Sequence, residues 1–267
     1  MKKLTMITIS YNCKDLIEAT IQSVIRQKTD EIEYIIIDGD SNDGTNEIIE
    51  KNLDYIDKYV CEKDNGISDA FNKGIKMATG RWVGLINAGD LIIDGAFDIL
   101  ERYLNTEDDV LFANGIRQYL DGTYKPWFAN PDPRNLHYCM SMVHPSVFVK
   151  KETYIKYGMF NINFKCVMDR ELLLRFLNEG CRFRYLDEYI SVYLMGGVSD
   201  KKYYTVVLKE ELQIDKMDGM SLSRRCIKYC RYILIHFAVN VRNLLGLNKT
   251  YESLESAMRS RNDNKKN

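Results

Sequence analysis

Two hydrophobic rhythms alternate along the first third of the chain. Leu4 to Ser10 is a short apolar run of strand length, and Lys14 to Gln27 then places Leu16, Ile17, Thr20, Ile21, Val24 and Ile25 on one helical face. The pairing recurs. Glu33 to Asp38 reads as a strand, turn residues Gly39 to Gly44 close it, and a helix from about Thr45 carries Ile48, Ile49 and Leu53. A short strand near Lys58 to Cys61 precedes a helix over Ile67 to Met77, whose Ile67, Ala70, Phe71, Gly74, Ile75 and Ala78 recur at helical spacing. Arg81 to Ile86 is the next strand. Strands and helices in strict alternation predict a mostly parallel central sheet flanked by helices on both faces.

Beyond Asp90 the rhythm changes. Ala96 to Leu104 reads as a helix, Val110 to Gln118 and Thr123 to Phe128 as strands joined around Asp121-Gly122, and Asn130 to Pro145 as a loop with three of the four prolines. A helix at about Met168 to Asn178 and a strand at Arg182 to Asp187 complete the body. Residues 201 to 246 read as helical, and Ser256 to Asn267 is polar and reads as disordered. The expected organisation is a body over 1–200, divided into halves 1–90 and 91–200, and a helical, basic extension over 201–267.

Charge sharpens that division. The 37 Lys and Arg nearly balance the 38 Asp and Glu, so the net charge of −1 offers no general attraction to nucleic acid, and none is expected as a partner. From Leu222 onward, however, ten Lys or Arg stand against three acids. Within this extension Arg224, Lys228, Arg231 and Arg242 fall along one helical stripe, opposite Ile227, Cys230, Ile233, Leu234, Phe237, Val241, Leu244 and Leu245. Such a helix suits the surface of an anionic membrane leaflet, or else packs its apolar face on the body. The apolar stretch Tyr232 to Val241 is too short to span a bilayer. The start, Met1-Lys2-Lys3, is followed by too brief an apolar run for a secretory leader. Seven scattered cysteines without a C-x-x-C pair suggest neither a zinc site nor a disulfide framework, so a reduced cytoplasmic setting is expected.

In a parallel α/β sheet, ligands bind outside the carboxyl ends of the strands. Asp38 with Asp40, Asp64 and Asp90 fall at such ends. Turn chemistry alone accounts equally well for Asp40 and Asp43. A calcium loop fails because Asp43 and Ile49 stand where glycine and glutamate are required. Neither a dinucleotide fingerprint nor a Walker A sequence is present. A phosphate ligand would then be held through a divalent cation, Mn²⁺ or Mg²⁺, for which Asp90 is the best-placed ligand.

The ordered motifs Ile9-Ser10-Tyr11-Asn12, Ile37-Asp38-Gly39-Asp40-Ser41-Asn42-Asp43-Gly44-Thr45, Glu62-Lys63-Asp64-Asn65-Gly66-Ile67-Ser68-Asp69-Ala70-Phe71-Asn72-Lys73-Gly74 and Leu85-Ile86-Asn87-Ala88-Gly89-Asp90 closely resemble those of the family 2 glycosyltransferases of GT-A fold. His144-Pro145-Ser146, Met168-Asp169-Arg170-Glu171-Leu172-Leu173-Leu174-Arg175 and Gly196-Gly197-Val198-Ser199 resemble the later motifs of the branch that builds bacterial surface polysaccharides such as O-antigen and capsule. The resemblance spans roughly residues 4 to 200. It implies a Rossmann-like GT-A domain, a UDP-sugar donor and a lipid-pyrophosphate-linked sugar acceptor met at the inner face of the cell membrane.

Carried over position by position, the resemblance implies that Tyr11 and Asp38 hold uracil and ribose, that Asp64 contacts the nucleoside, and that Asp69, Asn72 and Asn87 belong to the donor-site motifs. Asp90 would ligate the metal, although Asn87-Ala88-Gly89-Asp90 lacks the acidic residue that usually precedes the last aspartate. His144 is either a substrate contact or a hydrogen-bonded loop histidine. For the catalytic base, Asp169 and Glu171 share the first turn of one helix. Glu171 has Arg175 at ion-pair spacing, whereas Asp169 shares the inward face of Leu173 and Phe176. The resemblance places the base at Asp169. Trp82 reads as core, while Trp127 is a candidate for stacking on a sugar. The implied activity is inverting transfer of a hexose, glucose or galactose. Transfer of an N-acetylhexosamine, or a noncatalytic nucleotide-sugar-binding subunit, is the alternative. A nucleotidyltransferase is disfavoured because Ser10 to Asp15 contains no glycine.

Overall fold

A computed structural model describes residues 2–196 and 206–244. The first half builds four parallel strands, β1 (Leu4–Ser10), β2 (Ile32–Asp38), β3 (Lys58–Cys61) and β4 (Trp82–Asn87), linked by α1 (Lys14–Ile25), α2 (Thr45–Glu50) and α3 (Ile67–Met77). Every residue of β1 and β2 is buried, the expected state of parallel strands covered on both faces. Alternation sorts their side chains. Leu4, Met6, Tyr34 and Ile36 join Ile17, Ile21 and Val24 of α1 in one core cluster. On the opposite face α3 approaches β1 so closely that a Cβ on Gly74 would lie 2.5 Å from Ile7 Cγ2.

The second half adds β5 (Leu91–Ile92), α4 (Ala96–Glu101), β6 (Val110–Gln118), β7 (Tyr124–Trp127), β8 (Val147–Lys150), α5 (Lys151–Tyr157), α6 (Met168–Asn178) and β9 (Phe183–Leu194). All strands join one sheet in the order β3-β2-β1-β4-β8-β6-β9-β5, with β7 paired to β6. Parallel pairing holds across β3-β2-β1-β4 and returns at β6-β9; β8, β7 and β5 pair antiparallel. The architecture is thus mixed α/β, with a central sheet flanked by helices.

Two elements of this half escape the periodicity reading. β8 ends in a lysine, yet Lys150 is buried, its Nζ 5.5 Å from the centre of the Trp82 ring, so a charged residue serves as a core position. α5 follows at once and buries only Thr153 and Tyr154, too few to show a helical stripe. β9 also outruns its expected end at Asp187, because irregular register opposite Asn114 carries pairing past Asp187 and Glu188 to Leu194.

Met1–Glu211 forms one compact unit and Leu212–Asn267 a second. The extension contains α7 (Leu208–Met217) and α8 (Leu222–Leu244). Within the second unit buried Asp215 is ion-paired to Lys228 at 2.7 Å, so one charge of the expected basic stripe is internally engaged. Leu222, Ile227, Ile233, Leu234 and Val241 of α8 are exposed. No helix among the described residues is long and apolar enough to cross a membrane, and none of the seven cysteines is in a disulfide. The motif residues Gly197 to Ser199 and the polar segment Ser256 to Asn267 lie outside the described residues.

Candidate active site

The carboxyl ends of β1 and β2 are fastened by Asp38. This fully buried carboxylate accepts hydrogen bonds from the Ser10 hydroxyl at 2.6 Å, the Ser41 hydroxyl at 2.8 Å and the Ser41 amide at 2.7 Å. The loop it secures presents Tyr11, 66% exposed, to the space above the sheet. Asp64 arrives from the end of β3 and accepts from the Gly66 amide at 2.8 Å. Gly39 makes the meeting possible: a Cβ there would stand 2.7 Å from Asp64 Oδ2 and 3.1 Å from the Tyr11 ring.

At the end of β4 the chain turns through Asn87 to Asp90. Two hydroxyls of α1 hold this turn from beneath. Thr20 Oγ1 accepts from the Gly89 amide at 2.8 Å and donates to the Asp90 carbonyl at 2.9 Å, while Ser23 Oγ accepts from the Ile92 amide at 3.1 Å. The Asp90 side chain accepts from the Leu194 backbone amide at 2.9 Å on one oxygen and, at 3.4 Å, from the Asn87 side-chain Nδ2 on the other. Burial pushes its carboxyl up to about 7, against the opposing effect of these donors. Among the described residues no cluster of three or more His, Cys, Asp or Glu could hold a metal ion. One lightly engaged carboxylate oxygen beside Asn87 fits Mg²⁺ or Mn²⁺ retained chiefly by a bound diphosphate and water, and does not fit a metal caged by protein.

The opposite wall is the start of α6, where Asp169 and Glu171 have different fates. Glu171 is clamped by Arg175 four residues on, Nε to Oε1 at 3.1 Å. The Asp169 carboxylate accepts from the Arg170 amide at 2.8 Å and lines the cleft. Burial holds its carboxyl above the usual aspartate range, and nearby His144 opposes that rise. The His144 imidazole is in turn held below its ordinary value by burial. His144 also packs on Phe71 of α3, ring centres 5.6 Å apart.

Sequence reasoning missed what fixes this wall. Glu210 accepts three successive backbone amides ahead of α6, from Lys165 at 2.7 Å, Cys166 at 3.0 Å and Val167 at 3.1 Å. Its neighbour Glu211 meets the fully buried Arg170 at 2.5 Å, and Arg170 also donates to the carbonyls of Leu136 and His137. Some 40 residues separate these partners in the chain, and only the acidic pair within a helical stretch hinted at them.

A cleft of about 670 Å³ collects Tyr11, Asp64, Asn87, Asp90, His144 and Asp169 on its walls. Three expected residues are not on that surface. Asp38 lies beneath it. Asp69 accepts from the Asn65 amide at 3.0 Å, and Asn72 is exchanged in two 2.9 Å bonds with the Phe160 backbone. In this structure all three brace the loops around the cleft.

The loops after the parallel strands of the first half form one side of this cleft and α6 brings a carboxylate to the other, within a mixed α/β architecture shared with glycosyltransferases of GT-A fold. Residues 5–173 match the model of the family described as Glycosyl transferase family 2, and the chain belongs to that family. It is 26% identical over 248 residues to the Escherichia coli protein UDP-Glc:alpha-D-GlcNAc-diphosphoundecaprenol beta-1,3-glucosyltransferase WfaP, covering 90% of this chain and 94% of that one. Among solved structures it is similar to S. aureus TarS 1-349 in complex with UDP-GlcNAc, with a TM-score of 0.65, 15% identity, and coverage of 88% of this chain and 73% of that one. It spans 39% of the full TarS chain. The mannosyltransferase PcManGT from Pyrobaculum calidifontis, in complex with GDP-Man and Mn²⁺, gives a TM-score of 0.61 at 17% identity over 82% of this chain and 64% of that one. The chain is therefore an enzyme, and the alternative of a noncatalytic binding subunit is set aside.

Proposed function

We propose that this glycosyltransferase moves a hexose, glucose or galactose, from a UDP-sugar to a lipid-pyrophosphate-linked sugar during assembly of a surface polysaccharide such as O-antigen or capsule, with inversion at the anomeric carbon. The observation that carries the reading is the placing of Asp169 and Asp90 on one cleft with Tyr11 and Asp64. The similarity to WfaP, whose name specifies a UDP-glucose donor and a diphosphoundecaprenol-linked acceptor, supports the choice of substrates.

In this reading residues 1–90 take the donor. The Tyr11 ring stacks on uracil, Asp64 contacts the nucleoside, and Asp38 keeps both loops in place through Ser10 and Ser41. Asn87 and Asp90 face the diphosphate, where a divalent cation, Mn²⁺ or Mg²⁺, would be held by Asp90 and would supply positive charge to the leaving group. Residues 91–200 take the acceptor. Asp169 removes the proton from the acceptor hydroxyl, the oxygen forms a bond to the anomeric carbon, and the bond to the UDP oxygen breaks with its electron pair leaving on UDP. One displacement converts an α-linked donor into a β-glycoside. No second carboxylic acid is required, because a nucleotide diphosphate leaves without protonation, unlike the alcohol in glycoside hydrolysis. His144 moderates the affinity of the base for protons. The exposed apolar residues of α8 and its exposed Arg224 are suited to peripheral contact with the anionic cytoplasmic face of the membrane.

The test is UDP release with Mn²⁺ from a panel of UDP-sugars, with and without a synthetic GlcNAc- or GalNAc-pyrophosphate lipid. Acceptor-dependent release from UDP-glucose or UDP-galactose, with a β-linked product by NMR, is expected. A preference for an N-acetylhexosamine donor, or an α-linked product, would overturn the reading.

A further inference from the structure

The hairpin of β6 and β7 carries a basic and aromatic platform that the mechanism above leaves unused. Register places Lys125 of β7 and Tyr193 of β9 on either side of Arg117 of β6, so the three share one face of the sheet. Trp127, two residues from Lys125, shares that face. The Arg117 guanidinium lies 4.2 Å from the centre of the Trp127 ring, and Tyr193 meets the same ring edge-on with centres 5.3 Å apart. Lys125 reaches over Tyr119, two residues beyond Arg117, at 5.2 Å.

This face opens toward the catalytic cleft. Gly115, opposite Trp127 in the ladder, is pressed against Val143, the residue before His144, and a Cβ there would sit 2.7 Å from Val143 Cγ1. Tyr193 and Leu120 line the cleft together with His144 and Asp169. Leu120, at the hairpin tip, is 83% exposed. Arg117 Nε is buried with no hydrogen-bond partner. Buried donors are otherwise almost always satisfied, and an exception marks a strained or functional position or one that takes water or an ion.

Tyr193 reaches the cleft, and Trp127, Arg117 and Lys125 continue its face of the sheet along the hairpin. We propose that this platform of Trp127, Tyr193, Arg117 and Lys125 is the acceptor subsite and binds a glycosyl pyrophosphate on a lipid. The rings stack on the sugar, the cations hold the pyrophosphate, and Leu120 meets the first carbons of the lipid. A planar guanidinium already stacked on an indole presents its remaining N–H groups in the fork that fits phosphate oxygens. The inference rests on the acceptor class given under Proposed function and assigns it to particular residues.

Trp127 also supplies the readout. It is one of two tryptophans in the chain, and the other, Trp82, is sealed in the core. The probe is GlcNAc joined through pyrophosphate to an undecyl chain, compared with undecyl GlcNAc lacking pyrophosphate and with UDP. The probe is expected to change the Trp127 emission, and Arg117→Ala is expected to raise the acceptor KM about tenfold or more. Arg117→Lys should fall between the two, and the KM for the UDP-sugar should stay within about twofold. In the Arg117→Ala protein the preference for the pyrophosphate probe over undecyl GlcNAc should disappear.

Turnover of the probe with an unchanged acceptor KM in Arg117→Ala would overturn this assignment alone, and so would a rise confined to the donor KM. If the wild type binds UDP but neither binds nor glycosylates the probe, the acceptor class itself is wrong and both readings fall.

Discussion

Asp169 and Glu171 are two residues apart in one helix and chemically alike, yet only one is available for proton transfer. The Arg175 guanidinium occupies both oxygens of Glu171, at 3.1 and 3.3 Å, while Asp169 looks into the cleft beside His144. The spacing to Arg175 made the fate of Glu171 legible in the sequence. The proximity of His144 to Asp169 was not legible, because 25 positions and several elements separate them in the chain. A pH dependence follows. A base acts in its ionised form, and burial raises the Asp169 pKa above the ordinary 3.8, so activity is lost at a higher pH on acidification than an exposed aspartate would allow. The acid limb of the kcat/KM profile should therefore lie above the usual carboxylate range. Because His144 lowers the Asp169 pKa, His144→Gln should move that limb to still higher pH. A limb at or below the exposed-aspartate value, unmoved by the substitution, would contradict the assignment.

Among elements, the strand-helix units of the first half were the most legible, since each carries a complete apolar face of its own. What stayed hidden depends on partners distant in sequence. β8 uses a lysine as a core residue, and α6 is held by carboxylates from α7 that no local pattern foretells. Gly74 shows how packing overrides propensity. An exposed mid-helix glycine gains about 0.5–1 kcal/mol on replacement by alanine, but a Cβ here would press into Ile7 at 2.5 Å, and overpacking of this kind costs about 1–3 kcal/mol. Gly74→Ala should lower the denaturation midpoint, measured by urea unfolding. A gain in stability would show that α3 and β1 are less tightly apposed than described.

For the whole molecule, the chain forms two compact units, Met1–Glu211 and Leu212–Asn267, and the ten Lys or Arg against three acids from Leu222 onward fall in the second. Composition does not mark the junction, because the helix Leu208–Met217 crosses it. The amphipathic character of α8 was legible, and its apolar residues Ile227 and Leu234 are 69% and 67% exposed. The full chain should therefore float with vesicles containing phosphatidylglycerol and much less with phosphatidylcholine, losing binding as salt is raised. Ile227→Asp together with Leu234→Asp should abolish flotation. Equal binding to both vesicle types, or none to either, would remove the membrane contact from the account.

Asp169 is the proposed base of an inverting transfer. The most direct test of that role is acceptor-dependent UDP release by Asp169→Asn and by Glu171→Gln, with UDP-sugar affinity measured alongside by calorimetry. A fall of about 10²- to 10⁴-fold in kcat is expected for Asp169→Asn with donor affinity nearly unchanged, and a far smaller loss for Glu171→Gln. Near-native turnover by Asp169→Asn, or the larger loss falling on Glu171→Gln, would contradict it.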